Sequence, residues 1–194
     1  MRRRTFDALL ASAGLIIAAV LVAAGGLLTW AHSFVSEQVT TQLSAQQIYF
    51  PPKGDEALKP KEIGPYLNQY AGQQLTTGTQ AKAYADHFIA VHIEEMTGGQ
   101  TYAQLSHKAM ANPNDEKLAG MVATVFKGET LRGLLLNSYA FWQMGQIALY
   151  GAIASFIGAA AMLVLSLLGF AHLRRVPETQ EVLVGKTAAK PATA

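Results

Sequence analysis

The chain of 194 residues contains no cysteine. This excludes disulfide bonds, thiol catalysis, thiolate metal sites, iron–sulfur clusters and haem attachment through thioethers. A domain of this chain that is exported from the cytoplasm must therefore be held together by packing alone.

Charged residues are scarce and catalytic signatures are missing. Only 14% of the residues are charged, whereas soluble domains carry about 25%, so a large part of the chain is expected in lipid or in a buried core. A net charge of +2, without a basic run that interleaves aromatics, predicts no nucleic-acid partner. The sequence contains no nucleophile elbow, phosphate-binding loop or dinucleotide fingerprint. We therefore expect no enzyme and no cofactor.

Two long uncharged apolar stretches are the strongest positive feature, from Ala8 to Ala31 and from Gly133 to Ala171. Each exceeds the roughly 20 residues that a helix needs to cross a bilayer. Arginines precede the first stretch and follow the second, and the positive-inside rule then places both termini in the cytoplasm. The first stretch is longer than the core of a cleaved signal peptide, which predicts an uncleaved signal anchor in a bacterial plasma membrane.

The predicted fold is all-α, with two transmembrane helices that form a hairpin and a small extracytoplasmic helical bundle inserted between them. The predicted segments are a cytoplasmic N-terminus (1–5), transmembrane helix 1 (6–32), an extracytoplasmic helical domain (33–137), transmembrane helix 2 (138–172, hydrocarbon section about 147–170) and a largely disordered cytoplasmic tail (173–194). Within the domain we expect an outward extension of the first helix (33–47), a Pro- and Gly-rich loop (51–65) and further helices (66–127).

Local signals place the helices of that domain more finely. Thr5 is expected to cap the first helix, and a short helix is expected between Tyr66 and Thr77. The next helix, Thr79 to Met96, has an apolar face formed by Ala81, Ala85, Phe88, Ile89, His92 and Met96. Thr101 is expected to cap a helix that runs to Ala111. Asn114 or Asp115 should start another helix, which Gly128 interrupts before the second span.

The densest polar cluster is the string DHFIAVHIEE, which holds Asp86, His87, His92, Glu94 and Glu95. On a helix His87 and His92 diverge by about 140°, and the spacing differs from the H-E-x-x-H zinc motif. His92 and Glu95, with His107, are the candidate metal ligands. The alternative is that His92 is a partly buried helix residue and that the carboxylates are solvated.

Small residues mark a candidate helix-packing surface in the apolar stretches: Gly14 and Ala18 in the first, and Gly151, Ser155, Ala154 and Gly158 in the second. Such pairs let helix backbones approach closely in lipid, either between the two spans or against a partner helix. Neither stretch contains an ionisable Asp, Glu, Lys or Arg, which argues against a channel or transporter.

Polar residues at the start of the second span form a stripe of Asn137, Gln143 and Gln146. Because amides are costly to leave against acyl chains, we expect them to face another protein or the first helix, near Gln38, Thr41 or Gln42. Nearby, Glu129 and Arg132 are spaced for a local ion pair.

Several segments carry a family resemblance: RRRTFDALL, EIGPYLNQYAGQQLTTGTQAKAYADHFIAVHI, GETLRGLLLNSYAFW and GFAHLRRV. Over residues 2–176 the chain resembles actinobacterial two-span membrane proteins of unknown function. Some members carry the label of an aromatic ring-opening dioxygenase, which implies a non-haem iron site. Such a site needs about two histidines and a carboxylate on one side, and here only His92 with Glu95 approaches it.

The sequence thus predicts a non-enzymatic membrane protein: an accessory, scaffold or assembly subunit that acts through its extracytoplasmic domain and its span faces. Its expected partners are the lipid bilayer and a membrane protein or further copies of itself. One alternative is an extracytoplasmic ligand-sensing module whose output needs a partner. The other is a metal-dependent extracytoplasmic enzyme centred on His92.

Overall fold

A computed structural model describes residues 2–175 and the single positions 177 and 182. Within these residues the protein is helical and has no strand, and Tyr49 and Gln74 form an isolated antiparallel β-bridge. Most of the predicted disordered tail, 173–194, lies outside the described residues.

Six α-helices follow one another: α1 (Arg3–Ala45), α2 (Gly64–Leu67), α3 (Gly78–Tyr84), α4 (Ala90–Thr97), α5 (Tyr102–Ala111) and α6 (Glu116–Leu173). Two 3₁₀ turns occupy Glu56–Leu58 and Asn68–Tyr70, and a π-helical turn, Ala85–Ile89, joins α3 to α4. Helices α1 and α6 are both long and apolar enough to cross a membrane.

Helix α1 begins earlier and ends slightly earlier than the sequence predicts. It starts at Arg3, so the prediction that Thr5 caps it is wrong: Thr5 lies inside the first turn. The helix ends at Ala45, and Gln47 then takes a left-handed conformation with φ of 52°. Proline at positions 51 and 52 keeps the chain from resuming the helix.

Helix α6 is continuous over 58 residues, so the predicted interruption at Gly128 is wrong. A glycine costs a helix only about 1 kcal/mol, and at Gly128 the missing side chain admits Ile93 of α4. The start of α6 agrees with the prediction, because the Asp115 carboxylate accepts a hydrogen bond from the Leu118 amide at 2.9 Å.

The region between Tyr66 and Gly98 is partly as predicted. The expected helix before Gly78 is only the short α2 and a 3₁₀ turn. The expected helix from Thr79 to Met96 is present as α3, the π turn and α4, and it ends at Gly98 in a left-handed conformation with φ of 60°. Thr101 caps α5 as predicted, by accepting a hydrogen bond from the Gln104 amide.

The residues form two compact units. The terminal unit comprises Met1–Trp30 and Ala148–Ala194, and the central unit comprises Ala31–Ile147. In the terminal unit α1 and α6 contact each other in opposite chain directions, with Ala11 beside Gly169, Leu21 beside Gly158 and Leu28 beside Gly151. The described residues of this unit thus form an antiparallel helix pair.

The central unit has its own hydrophobic core. The buried residues are Val39, Leu43, Phe50, Leu58, Ile63, Leu67, Leu75, Ala81, Ala85, Ile89 and Leu135. They come from α1, from the segment 46–77 that includes α2, from α3 and its π turn, and from α6. Side chains from all of these elements therefore pack into one core. Val39 and Leu43, four residues apart near the C-terminal end of α1, are both buried in this core.

Candidate functional site

The polar cluster of the string DHFIAVHIEE lies on the π turn and α4, and its histidines have separate structural contacts. Nδ1 of His92 lies 2.7 Å from the Phe88 carbonyl oxygen. Because a carbonyl only accepts, Nδ1 must donate this hydrogen bond. The His87 ring stacks on Tyr66 with 3.5 Å between ring centroids. The two imidazoles therefore have different neighbours, as their spacing predicts.

The candidate metal ligands are not brought together. Glu95 is exposed near the end of α4, and His107 is exposed on α5. Among residues 2–175, 177 and 182 there is no group of three or more His, Asp or Glu side chains that could hold a metal ion.

Asp86 is the centre of a charged junction between α3 and α6. Its carboxylate accepts hydrogen bonds from Lys82, one turn earlier, and from Arg132 at 3.5 Å, 46 residues away. Arg132 also forms the predicted local pair with Glu129, at 3.4 Å. Desolvation by burial would raise the pKa of Asp86, but the hydrogen bond from Lys82 and the positive charges of Lys82, Arg132 and His87 outweigh it and lower that pKa.

Aromatic side chains form a column beside this junction. Phe50 contacts Tyr70 and Tyr84, with ring centroids 5.2 Å and 5.4 Å away, and Tyr84 contacts Phe88 at 4.7 Å. The column continues to the His92 ring, 4.5 Å from Phe88. Burial raises the pKa of the Tyr84 phenol. The aromatic and charged groups of this region are thus used to join α3 and α4 to the rest of the core.

The apolar face of α3 and α4 differs from the prediction at its end. Ala81, Ala85 and Ile89 are buried, but Met96 is 42% exposed and Thr97 is buried instead. The π turn takes more residues per turn than an α-helix, so it shifts the inward face toward Ile93 and Thr97. Sequence periodicity assumes 3.6 residues per turn and could not show this shift.

A groove of about 360 Å³ separates the C-terminal part of α1 from α6 in the central unit. Its lining residues are Phe34, Val35, Gln38, Val39, Gln42, Asn137, Ser138 and Phe141. The structure therefore places Asn137 opposite Gln38 and Gln42, as predicted. Thr41, Gln143 and Gln146 are not among the lining residues, and Gln143 is exposed while Gln146 is half-buried.

The groove is lined by uncharged side chains. The eight residues that line it include no charged side chain, and the amides of Gln38, Gln42 and Asn137 are on exposed residues. Phe34 and Phe141 border it, and each is about half exposed, at 51% and 48%. Such a surface can bind uncharged polar groups by hydrogen bonds and apolar groups by contact, but it offers no counter-charge to an ion.

Just below the groove, His32 joins the two long helices. Its Nδ1 atom lies 2.9 Å from the Gly145 carbonyl oxygen. At Gly145 an added Cβ would lie only 3.3 Å from Val35, so glycine allows the close approach that this hydrogen bond requires. Sequence reasoning assigned no contact to either residue, because a single His and a single Gly give no pattern.

The predicted packing residues lie along the contact between α1 and α6 in the terminal unit. Gly14 lies against Met162 and Ser166, and Ala18 is buried; Gly151 and Gly158 contact leucines of α1, and Ser155 is half-buried. Among the described residues of α6 in this unit, however, the buried ones are Ala152, Ala159 and Ser166. These three recur every seven residues, which is the repeat of a supercoiled helix pair and the signal that would have identified them.

No protein-family model, no curated protein and no solved structure matches this chain.

Proposed function

We propose that the protein is a non-enzymatic membrane subunit, a transmembrane hairpin that carries a small extracytoplasmic helical bundle. In this proposal the bundle, the central unit, docks another membrane protein or a further copy of this chain. Both termini are cytoplasmic, in a bacterial plasma membrane. The resemblance to actinobacterial two-span membrane proteins agrees with this topology.

The observation that carries the membrane assignment is the exposure of the apolar helices. In the most apolar windows of α1 and α6 only 22% and 11% of the residues are buried inside the protein. A core helix of a soluble protein would be mostly buried, whereas exposed contiguous apolar surface of this size needs lipid or a partner to cover it. A lipid bilayer would cover the apolar surface of both helices, and no protein partner is then needed for that purpose.

The central unit supports docking better than catalysis. His92 is hydrogen-bonded to the Phe88 carbonyl one turn earlier, His87 stacks on Tyr66, and Asp86 forms an ion pair with Arg132. The groove between α1 and α6 offers exposed amides and half-exposed phenylalanines instead. This combination of aromatic and uncharged polar groups is typical of the inner part of protein interfaces, where charged residues are depleted.

The test is co-purification of the full-length protein from its native membranes in mild detergent. We expect a stoichiometric membrane partner, or a defined homo-oligomer, that the variant Asn137→Arg loses because it places a charge in the neutral groove. The matched control is Asn112→Arg, a change at an exposed turn after α5. A monomer without a partner would contradict the docking role.

The groove also supports one alternative, a ligand-sensing module. A volume of about 360 Å³ suits a small uncharged molecule. A small molecule that raises the thermal stability of the wild type but not of Asn137→Arg, without a protein partner, would favour this role. The metal-dependent enzyme is the least supported alternative, and elemental analysis of the purified protein tests it: bound iron or zinc lost in His92→Ala would revive it.

A further inference from the structure

One end of the terminal unit carries a group of arginines. They occupy positions 2–4 at the start of α1 and positions 174 and 175 directly after α6, and all five are exposed. Among the described residues of this unit, Asp7 is the only one with an acidic side chain. Five arginines and one aspartate leave an excess of four positive charges in the part of the unit that the structure describes. The sequence after Arg175 adds two glutamates and two lysines, and so no net negative charge from side chains.

The antiparallel contact between α1 and α6 brings the two groups of arginines to the same level. Ala11 lies beside Gly169, and Gly14 lies beside Ser166. Continuing this register places positions 174 and 175 beside positions 6 and 5 of α1. The arginines at 2–4 are one to four residues further on, which is at most about 6 Å along a helix. Long guanidinium side chains from both helices can therefore reach one bound group.

The start of α1 is an unfavourable place for these positive charges. Free amide groups give the N-terminus of a helix a partial positive charge, which favours acidic residues there. The first turn of α1 contains no acidic residue. Asp7 lies in the second turn, 3.9 Å from Nε of Arg3, and its single charge offsets one arginine at most. A bound anion would therefore stabilise this end of α1.

A pocket of about 320 Å³ lies at the arginine end of α1. Its lining residues are Arg2, Arg4, Thr5 and Ala8, so two guanidinium groups and a hydroxyl belong to it. Main-chain hydrogen bonds fix the position of Arg2, whose carbonyl oxygen accepts from the amides of Thr5 and Phe6 at 3.1 Å and 3.2 Å. Guanidinium groups bind phosphate oxygens by charge-assisted hydrogen bonds, which are often bidentate. The pocket thus suits a phosphate group.

A larger and mainly apolar cavity of about 480 Å³ lies one turn further along α1, between α1 and the end of α6. Ala8 of the pocket and Ala11 of the cavity are three residues apart and share one side of α1. Leu10, Leu165 and Leu168 line the cavity and are 63%, 62% and 61% exposed. If α1 and α6 cross the bilayer, as in the proposed function on which this inference rests, these leucines contact acyl chains.

We propose that the arginine end of the terminal unit binds one anionic glycerophospholipid of the cytoplasmic leaflet. The phosphodiester lies against Arg2 and the two arginines that follow α6, and an acyl chain lies along the leucines of the cavity. Basic clusters beside a membrane span attract anionic lipids, and here the pocket and the cavity give the lipid a defined position. A zwitterionic lipid binds less well, because it brings its own positive charge to the arginines.

The test is native mass spectrometry of the full-length protein, purified in detergent and supplied with phosphatidylglycerol or phosphatidylcholine of identical acyl chains. A basic residue near the membrane surface contributes about a factor of five to the binding of an anionic lipid. Two arginines therefore predict that one phosphatidylglycerol is retained about 25-fold more strongly than phosphatidylcholine. The double variant Arg174→Gln with Arg175→Gln should remove most of this preference.

The matched control is the double variant Lys117→Gln with Lys127→Gln, which removes two exposed positive charges from α6 in the central unit. It should keep the wild-type preference. Because the protein is in detergent, the result does not depend on the direction of membrane insertion, which arginines also influence.

Equal retention of the two lipids by the wild type would show that the arginines serve orientation alone, and it would overturn the proposed site. An unchanged preference in the arginine variant, or several equally retained phosphatidylglycerol molecules in place of one, would also overturn it. Displacement of the lipid by excess inorganic phosphate would do the same, because a free ion would then be the better occupant. If alkaline carbonate extracts the protein from vesicles, the membrane assignment itself fails, which is a distinguishable result.

Discussion

At Gly78 the missing side chain determines how closely α3 approaches α6. An added Cβ at this position would overlap the Cβ and Cγ atoms of Trp142. We expect Gly78→Ala to lower the free energy of unfolding by about 1–3 kcal/mol, the usual cost of overpacking. The measurement is denaturant unfolding of the full-length protein in detergent, followed by circular dichroism.

The control for this prediction is Gly120→Ala in α6, where an added Cβ meets no atom within 4 Å. This change should instead stabilise the protein by about 0.5–1 kcal/mol, because alanine is the better helix former. If both variants shifted stability in the same direction, the close contact between Gly78 and Trp142 would be refuted.

Asp86 should make stability depend on acid pH. The pKa of its carboxyl group is lowered in the folded protein, so its contribution is complete above the unfolded value of about 4. The contribution is lost as the pH falls below that value and through the lower folded pKa. We expect Asp86→Asn to be less stable than wild type at pH 7 and the difference to shrink steadily between about pH 4 and pH 2.

The same unfolding experiment at several pH values tests this prediction. Glu94→Gln is the matched control, because Glu94 is exposed on α4 and outside the charged junction. It should follow the wild-type profile at each pH. A difference between Asp86→Asn and wild type that stayed constant down to pH 2 would show that the carboxylate charge is not what stabilises the junction.

At the scale of the helices, the spacing of small residues along α6 determines which face contacts α1. Ala152 is 2% exposed, whereas Ala154, part of a pair that the sequence offered for packing, is exposed. We expect Ala152→Leu to destabilise the helix pair by about 1–3 kcal/mol through overpacking. Ala154→Leu should have almost no effect, since its side chain points away from α1.

Thermal denaturation of the two alanine variants in the same detergent distinguishes them. The result should be a lower midpoint for Ala152→Leu alone. Equal destabilisation by both, or by Ala154→Leu only, would place a different face of α6 at the contact and would remove the seven-residue repeat as an explanation.

At the scale of single helices, the sequence predicted the features that depend on residues close together in the chain. The caps at Thr101 and Asp115 follow from residue type and spacing. The π turn does not, because it depends on how α3 and α4 pack on α6. For that reason Met96 was expected in the core, where the structure has Thr97.

For the whole molecule, composition was enough to predict a helical chain with two apolar helices. It could not predict contacts between residues far apart in sequence, such as Asp86 with Arg132 or His32 with Gly145. The groove was partly predicted, because amide side chains beside an apolar span are costly to leave against acyl chains and were expected to face the first helix or another protein.

The proposed topology can be tested by single-cysteine labelling, because the chain has no cysteine of its own. One variant carries Lys53→Cys in the exposed segment after α1, and the other carries a cysteine appended after Ala194. A membrane-impermeant maleimide should label Lys53→Cys in intact spheroplasts and the appended cysteine only after lysis. This follows because arginines at both ends are retained in the cytoplasm while the longer segment between the spans is exported. The reverse labelling pattern would invert the orientation and contradict the proposed topology.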